Sequence, residues 1–187
     1  MTLILASASP RRLALLAQIG IMPQAVEPSH IDETLHKAEL PELYAQRIAR
    51  EKALTAVIRF PDAVILAADT VVYCGRRILP KAQDAATAHK CLEILSGRRH
   101  RVVTAVVIAK GEKLRIKTVM TMVRFKYLTP AEMNAYVASE EWQDKAGGYA
   151  IQGRAAAFIP AINGSYSNVV GLPLAETKGL LESFGII

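Results

Sequence analysis

One almost continuously apolar stretch, Ala63–Tyr73 with the sequence A-V-I-L-A-A-D-T-V-V-Y, constrains most strongly what this chain can fold into. It has neither a helical period nor a clean alternation of apolar and polar residues, and turn signals at Pro61-Asp62 and Gly75 bound it. Such a pattern is typical of a strand that is buried on both of its faces. The sequence therefore predicts a central strand around which the rest of the chain is arranged.

Two polar residues, Asp69 and Thr70, lie inside this stretch. An ionised carboxylate in a dry strand is costly unless another group pairs with it. Taken alone, Asp69 fits a buried aspartate held by backbone amides or by one arginine. The remainder of the sequence instead favours a catalytic role for this carboxylate.

Length and composition predict an ordinary globular protein. The 187 residues, 51% hydrophobic and 21% charged, are enough for one domain, which can be bilobed. Thr2–Ala6 is too short for the core of a signal peptide, and no apolar stretch is long enough to span a bilayer. Cys74 and Cys91 have no paired spacing, which indicates neither a zinc site nor a disulfide framework and favours a cytoplasmic location.

The chain is basic, with a net charge of +6 at pH 7. This charge indicates an anionic partner, which is either a nucleic acid or a small, highly charged phosphate ester.

The N-terminal residues predict a short buried strand, Thr2–Ser7, and then a helix that begins at Pro10 and ends at Gly20. The predicted apolar face of this helix consists of Leu13, Leu16 and Ala17. Arg11 and Arg12 occupy its first turn, where the helix dipole disfavours cations. They are either solvated surface arginines or, together with free backbone amides, part of an anion site.

Two further residues matter only if the fold places them near Asp69. Glu33 lies in a predicted loop, where acidic residues are usually solvated, but two converging carboxylates can hold a hard cation such as Mg²⁺. Lys52 lies on the predicted helix Pro41–Phe60, among apolar or small neighbours three and four residues away. Its amine either reaches solvent along the helix surface or points into a cleft.

The second half of the chain predicts two long strands, Arg101–Ala109 and Leu114–Leu128. The basic run Arg98–Arg101 before them is interpreted as a solvated surface cluster. Three glycines within Lys145–Gly153 indicate close backbone approach to another group. In the same loop Gln152 offers both an amide donor and an acceptor, which suits a nucleotide base edge, although a structural glutamine would also fit.

Several motifs together make the chain similar to the Maf family of nucleoside triphosphate pyrophosphatases, once described as septum-formation inhibitors. They occur in the family's order and span nearly the whole chain: S-A-S-P-R-R at Ser7–Arg12, I-D-E at Ile31–Glu33, A-R-E-K-A at Ala49–Ala53, A-A-D-T at Ala67–Thr70, L-S-G at Leu95–Gly97, G-G-Y-A-I-Q-G at Gly147–Gly153 and G-L-P at Gly171–Pro173. One tripeptide departs from the family's pattern, because Pro80-Lys81-Ala82 stands where G-K-P is usual.

The resemblance implies a single bilobed domain over residues 1–187. Its fold would be α/β, with a long mixed β-sheet, flanking helices and two lobes around a cleft, similar to inosine triphosphate pyrophosphatases. It also implies cleavage of a nucleoside triphosphate to the monophosphate and pyrophosphate with a divalent metal cation, Mg²⁺ or Mn²⁺. The biological setting would be nucleotide-pool sanitation and, in addition, cell-division arrest.

The resemblance also implies roles for individual residues. The expected catalytic residues are Asp69, Lys52 and Lys81, and the expected metal ligands are Glu33 and Asp69. The expected residues for substrate binding and specificity are Ser7, Arg11, Arg12, Thr70 and Gln152. Within the family, Arg12, Thr70 and Gln152 mark the subgroup that acts on dTTP and UTP.

Two alternatives remain open. One is another Maf specificity, such as 7-methyl-GTP, and the other is a basic nucleic-acid-binding module. The second would require aromatic residues among the basic ones, and only 6% of the chain is aromatic. We therefore expect a small nucleotide as partner, with no stable nucleic-acid partner and no membrane, and the resemblance suggests a homodimer.

Overall fold

The computed structural model describes every residue, Met1–Ile187. Its seven strands are β1 (Leu3–Leu5), β2 (Ala25–Val26), β3 (Val64–Cys74), β4 (Arg77–Leu79), β5 (Arg99–Lys110), β6 (Lys113–Arg124) and β7 (Ala161–Asn163). Its α-helices are α1 (Pro10–Gln18), α2 (Pro41–Arg59), α3 (Ala85–Leu95), α4 (Pro130–Ala138), α5 (Tyr166–Val170) and α6 (Leu174–Glu182), and Arg154–Phe158 forms a 3-10 helix.

The strands form one mixed sheet in the order β2-β1-β3-β5-β6-β7, with β4 paired to β3. Strand β1 is parallel to both of its neighbours, β2 and β3, whereas the β3–β4 and β6–β7 pairs are antiparallel. The predicted α/β class with a long mixed sheet is therefore confirmed.

The apolar stretch forms β3, one residue later at each end than the sequence predicts. Every residue of β3 from Val64 to Asp69 is buried, and the strand pairs with β1 on one side and with β5 on the other. Burial on both faces explains why this strand has no alternation of apolar and polar residues.

Helix α1 ends as predicted but buries a different face. Gly20 has φ +74°, and the N–H groups of Gly20 and Ile21 donate to the carbonyls of Ala17 and Leu16, both at 3.0 Å, which is a Schellman motif. The buried face, however, consists of Arg12, Leu15 and Leu16, so the predicted face of Leu13, Leu16 and Ala17 is wrong at two positions. The prediction from apolar periodicity was wrong because Arg12 lies on the buried face of the helix.

Other elements differ from prediction mainly at their ends. The second long strand ends at Arg124 instead of Leu128, and the first extends from Arg99 to Lys110. The basic run Arg98–Arg101 is only partly solvated, since His100 is 1% exposed. Alternation along β5 explains this burial, because Arg99 and Arg101 point outward while His100 points inward.

The chain separates into two compact units that interleave in sequence. Unit 1 consists of Met1–Asp69, Thr104–Val119 and Gly171–Ile187, and unit 2 consists of Thr70–Val103 and Met120–Val170. Strands β3, β5 and β6 each contribute residues to both units. No helix is both long enough and apolar enough to cross a membrane.

Candidate active site

In unit 1, the parallel strands β1 and β2 end at one edge, beside the middle of β3. Leu5 of β1 is paired with both Val26 of β2 and Leu66 of β3. Since β1 and β2 end here while β3 continues to Cys74, the residues that follow β1 and β2 in the chain are brought close to the part of β3 that contains Asp69. In open α/β sheets this edge is where ligands bind.

Lys52 joins the two predicted metal ligands at this edge. Its Nζ lies 2.9 Å from Asp69 Oδ1 and 2.6 Å from Glu33 Oε1. Lys52 is 8% exposed and Asp69 is 5% exposed, so this lysine does not extend along the helix surface to solvent. The carboxylates of Glu33 and Asp69 thus converge on the ammonium of Lys52.

Small residues on α2 allow Lys52 to be buried. Ala45, Ala49, Ala53 and Ala56 lie on the buried side of this helix and are 0% exposed. The helix can therefore pack closely, and its only buried charged residue, Lys52, extends its ammonium to the carboxylates. The hydroxyl of Ser29 donates to the Lys52 carbonyl at 2.9 Å, which ties the loop after β2 to the helix.

Side chains of α2 also fix the loop that carries Glu33. The Tyr44 hydroxyl donates to the Glu33 carbonyl at 2.8 Å, and Arg47 Nη2 donates to the Thr34 carbonyl at 3.0 Å. Arg47 also donates through Nε and Nη2 to the two carboxylate oxygens of Glu39, both at 2.8 Å. This pairing with Arg47 lowers the pKa of Glu39 to about 2. The sequence interpretation missed Tyr44, Arg47 and Glu39, because Tyr44 and Arg47 hold the loop through backbone carbonyls that any residue could supply.

Arg12 is held by groups of unit 1 and is not a solvated surface residue. Its Nη1 donates to Ser7 Oγ and its Nε to the Gly171 carbonyl, both at 2.9 Å. Burial lowers the pKa of Arg12, and the nearby carboxylate of Asp69 opposes this shift. Arg11, next to it in the first turn of α1, is half-buried.

Unit 2 contains the other predicted site residues: Thr70, which is half-buried, and Lys81 and Gln152, which are exposed. Lys81 forms an isolated antiparallel bridge with Ala146. On either side of it, Gly147 N–H donates to the Pro80 carbonyl at 3.0 Å and Ala82 N–H donates to the Lys145 carbonyl at 3.3 Å. A proline at position 82 could not donate this last bond. Ala82, which stands where the family usually has proline, therefore gives the Lys81 segment one more backbone hydrogen bond to the glycine-rich loop Lys145–Gly153.

The glycines of this loop approach side chains of the protein itself. Gly147 has φ +69°, and a Cβ there would lie 2.7 Å from Val72 Cγ1. A Cβ on Gly153 would lie 2.0 Å from Glu141 Oε2. The close approach that the sequence predicts is thus confirmed, and its partners include Val72 and Glu141.

No group of three or more His, Cys, Asp and Glu side chains in residues 1–187 is arranged to hold a metal ion. The convergent pair Glu33 and Asp69 offers carboxylate oxygens only. A typical Mg²⁺ site uses one or two protein carboxylates, and water and substrate phosphates complete its coordination shell.

Comparisons with known proteins identify the family and the fold of this chain. The family model described as Maf-like protein matches residues 2–184. A protein of Paramagnetospirillum magneticum named dTTP/UTP pyrophosphatase is 61% identical over 98% of this chain and 97% of its own length. One of Rhodospirillum rubrum with the same name is 58% identical, over 98% and 88%. The solved structure of a HAM1 protein from Coxiella burnetii, 18% identical, aligns with a TM-score of 0.52 over 98% of this chain and 100% of its own, and so shares the fold.

Proposed function

This chain belongs to the Maf family, and from that premise we propose that it hydrolyses nucleoside triphosphates, preferentially dTTP and UTP, to the monophosphate and pyrophosphate. Two relatives named for this activity match it over 98% of its length. The structural observation that carries the proposal is the cluster of Glu33, Lys52 and Asp69, in which Asp69 belongs to β3 beyond the carboxyl ends of β1 and β2.

Asp69 is the proposed general base. Water attacks the α-phosphorus, the bond from that phosphorus to the bridging oxygen breaks, and pyrophosphate leaves with the electron pair. The proton of the attacking water passes to the Asp69 carboxylate. The 2.9 Å bond from Lys52 engages Oδ1 and fixes the orientation of the carboxylate. Burial of both side chains strengthens this interaction because solvent screening is weak there.

Positive charge is needed along the triphosphate. Arg11 in the first turn of α1, Lys52 and Lys81 are the proposed cations, and they neutralise charge that develops on the departing pyrophosphate. Ser7 and Arg12 support the start of α1, because the serine hydroxyl accepts a bond from the guanidinium.

We propose Glu33 and Asp69 as ligands of a divalent cation, Mg²⁺ or Mn²⁺. The donor set fits, because both groups offer carboxylate oxygens, and their distances to Lys52 Nζ (2.6 and 2.9 Å) show that the two carboxylates lie close together. When bound, the metal supplies charge neutralisation and orientation of the phosphates. Its remaining ligands would be water and phosphate oxygens.

Gln152, Thr70 and Arg12 are the proposed determinants of the base. Thymine and uracil present a carbonyl, an N–H and a second carbonyl, which a glutamine amide can match as donor and acceptor. Gln152 is exposed at the glycine-rich loop, where a base can reach it. From the family resemblance we further propose that the enzyme acts in the cytoplasm on free nucleotides as a homodimer, which light scattering on the purified protein tests.

The proposal is tested with a panel of dTTP, UTP, dCTP, ATP, GTP and 7-methyl-GTP, with chromatography of the products and with and without EDTA. We expect the highest kcat/KM for dTTP and UTP, release of pyrophosphate, and loss of activity with EDTA that Mg²⁺ or Mn²⁺ restores. A purine preference would overturn the assigned substrates. A diphosphate with orthophosphate as products would overturn the assigned reaction, and full activity in EDTA would overturn the metal site.

A further inference from the structure

Gln152 occupies the third position of a four-residue turn, Ala150–Gly153. The Gly153 N–H donates to the Ala150 carbonyl at 3.1 Å, which closes the turn. Ile151 within the turn is 8% exposed, so it anchors the turn in the core while Gln152 remains exposed. The direction of the Gln152 side chain therefore depends on how firmly the turn is held.

Two side chains on and just after α4 hold the two ends of this turn. The Tyr136 hydroxyl accepts a 3.2 Å hydrogen bond from Ala150 N–H, at its start. Glu141 Oε2 accepts a 2.7 Å hydrogen bond from Arg154 N–H, directly after its end. The carboxylate comes so close to the backbone that a Cβ at position 153 would lie 2.0 Å from Glu141 Oε2, so any residue other than glycine would displace this carboxylate.

The segment that supplies these two acceptors is itself well fixed. A capping box between Thr129 and Glu132 begins α4. At its other end, Trp142 Nε1 donates to the Val137 carbonyl at 2.7 Å and Ser139 Oγ donates to the Tyr136 carbonyl at 2.7 Å. Tyr136 is 2% exposed, so its ring cannot move freely. Both ends of the Gln152 turn are thus attached to one rigid element.

We propose that Tyr136 and Glu141 are positioning residues that set base selectivity by fixing the orientation of the Gln152 turn. This inference rests on the proposed function, in which Gln152 contacts the base. A glutamine amide that can flip satisfies uracil and cytosine equally well, since each flip state matches one of them. Discrimination therefore requires a fixed amide, and a fixed amide requires a fixed turn.

The first test concerns Glu141 and measures the ratio of kcat/KM for dTTP to that for dCTP. In Glu141→Ala the Arg154 N–H loses its acceptor, and we expect the ratio to fall about 2- to 10-fold, the range that one hydrogen bond supplies. Glu141→Gln keeps an acceptor oxygen and should restore the native ratio. Arg154→Ala is the matched control, because it removes the exposed ion pair with Glu141 (3.5 Å) but retains the backbone N–H.

The second test separates positioning from general stability. Tyr136→Phe removes only the hydroxyl and should lower the same ratio through a higher KM for dTTP. Phe158→Leu, in the same aromatic cluster 5.6 Å from the Tyr136 ring, should lower Tm without changing the ratio.

The outcomes distinguish this inference from the proposed function. If Gln152→Ala lowers the ratio while Glu141→Ala and Tyr136→Phe keep it, the positioning role is wrong and the proposed function stands. An equal fall of the ratio in Phe158→Leu also overturns the positioning role. If the native enzyme does not hydrolyse dTTP or UTP, both fail.

Discussion

Lys52 donates a 2.9 Å hydrogen bond from its ammonium to the carboxylate of Asp69, and both side chains are almost completely buried. The pair connects α2 to the central strand β3, just beyond the point where β1 and β2 end. Because each charge is desolvated, each depends on the other for compensation. The same contact therefore contributes to the stability of unit 1 and fixes the orientation of the proposed base.

Lys52→Met should strongly destabilise the protein and abolish its activity. It removes the counter-ion of a buried carboxylate, which typically costs about 3–5 kcal/mol in the free energy of unfolding. Arg59→Met on the same helix is the control, because its 3.0 Å pair with Glu27 is exposed and should contribute at most about 1 kcal/mol. Urea unfolding of both variants measures the difference, and equal values would contradict the role of Lys52 as a required counter-ion.

Asp69→Asn should lose turnover but retain nucleotide binding. The amide preserves the shape of the side chain but cannot take a proton, and loss of a general base typically lowers kcat by ~10²–10⁴-fold. Single-turnover hydrolysis of dTTP tests the loss of turnover, and calorimetry tests the retained binding. Asp62→Asn, at an exposed position, is the control for both measurements. Near-native kcat in Asp69→Asn would show that this carboxylate is only structural.

The sequence predicted the central strand well because burial on both faces leaves a long apolar run that no other element explains. It predicted the position of β3 to within one residue and identified Asp69 as a buried acid that needs a partner. It could not choose between the two possible environments of Lys52. That choice depends on whether Glu33, 19 positions earlier in the chain, folds back onto α2.

The sequence could not predict hydrogen bonds from side chains to backbone carbonyls. Tyr44 and Arg12 donate to the carbonyls of Glu33 and Gly171, and any residue could supply such an acceptor. The face of α1 was predicted incorrectly for a related reason, since one acceptor of the buried Arg12 is the carbonyl of Gly171, 159 positions later in the chain. The glycines at positions 147–153 signalled close approach, but only the fold shows Val72 and Glu141 as partners.

Tyr44→Phe should weaken the attachment of the Glu33 loop to α2 without unfolding the protein. It removes the 2.8 Å bond from the hydroxyl to the Glu33 carbonyl, a loss of about 0.5–1.5 kcal/mol. If Glu33 is a metal ligand, the Mg²⁺ concentration for half-maximal activity should rise, while kcat at saturating Mg²⁺ stays near native. Tyr127→Phe, at an 85% exposed position, should change neither quantity. An unchanged Mg²⁺ dependence in Tyr44→Phe would contradict this link between Tyr44 and the metal site.

The last prediction concerns pH and the buried His100. Its Nε2 shares a 2.8 Å hydrogen bond with the Tyr149 hydroxyl, the rings of Phe125 and Tyr149 pack against it, and Nδ1 has no partner. Burial lowers the pKa of His100 to about 4, below its ordinary value of about 6.5. The folded state therefore binds fewer protons than the unfolded state between these two values. Stability is fully present above pH 6.5 and is lost as the pH falls toward 4.

Between pH 7.5 and 5, this one group should reduce the free energy of unfolding by about 2 kcal/mol. The window is informative because it lies above the ordinary glutamate pKa of 4.5. Pairing with Arg47 and Lys126 lowers the pKa values of Glu39 and Glu132 to about 2, and the stability that these pairs contribute is lost mainly below the window. His100→Gln carries no titrating ring and should show a flatter pH profile, even if it is less stable at pH 7.5. His89→Gln, which replaces a half-buried histidine on α3, should keep the native slope. Urea unfolding at pH 7.5, 6 and 5 measures all three proteins. A native slope in His100→Gln would mean that another group causes the acid sensitivity and that His100 is not held neutral by the fold.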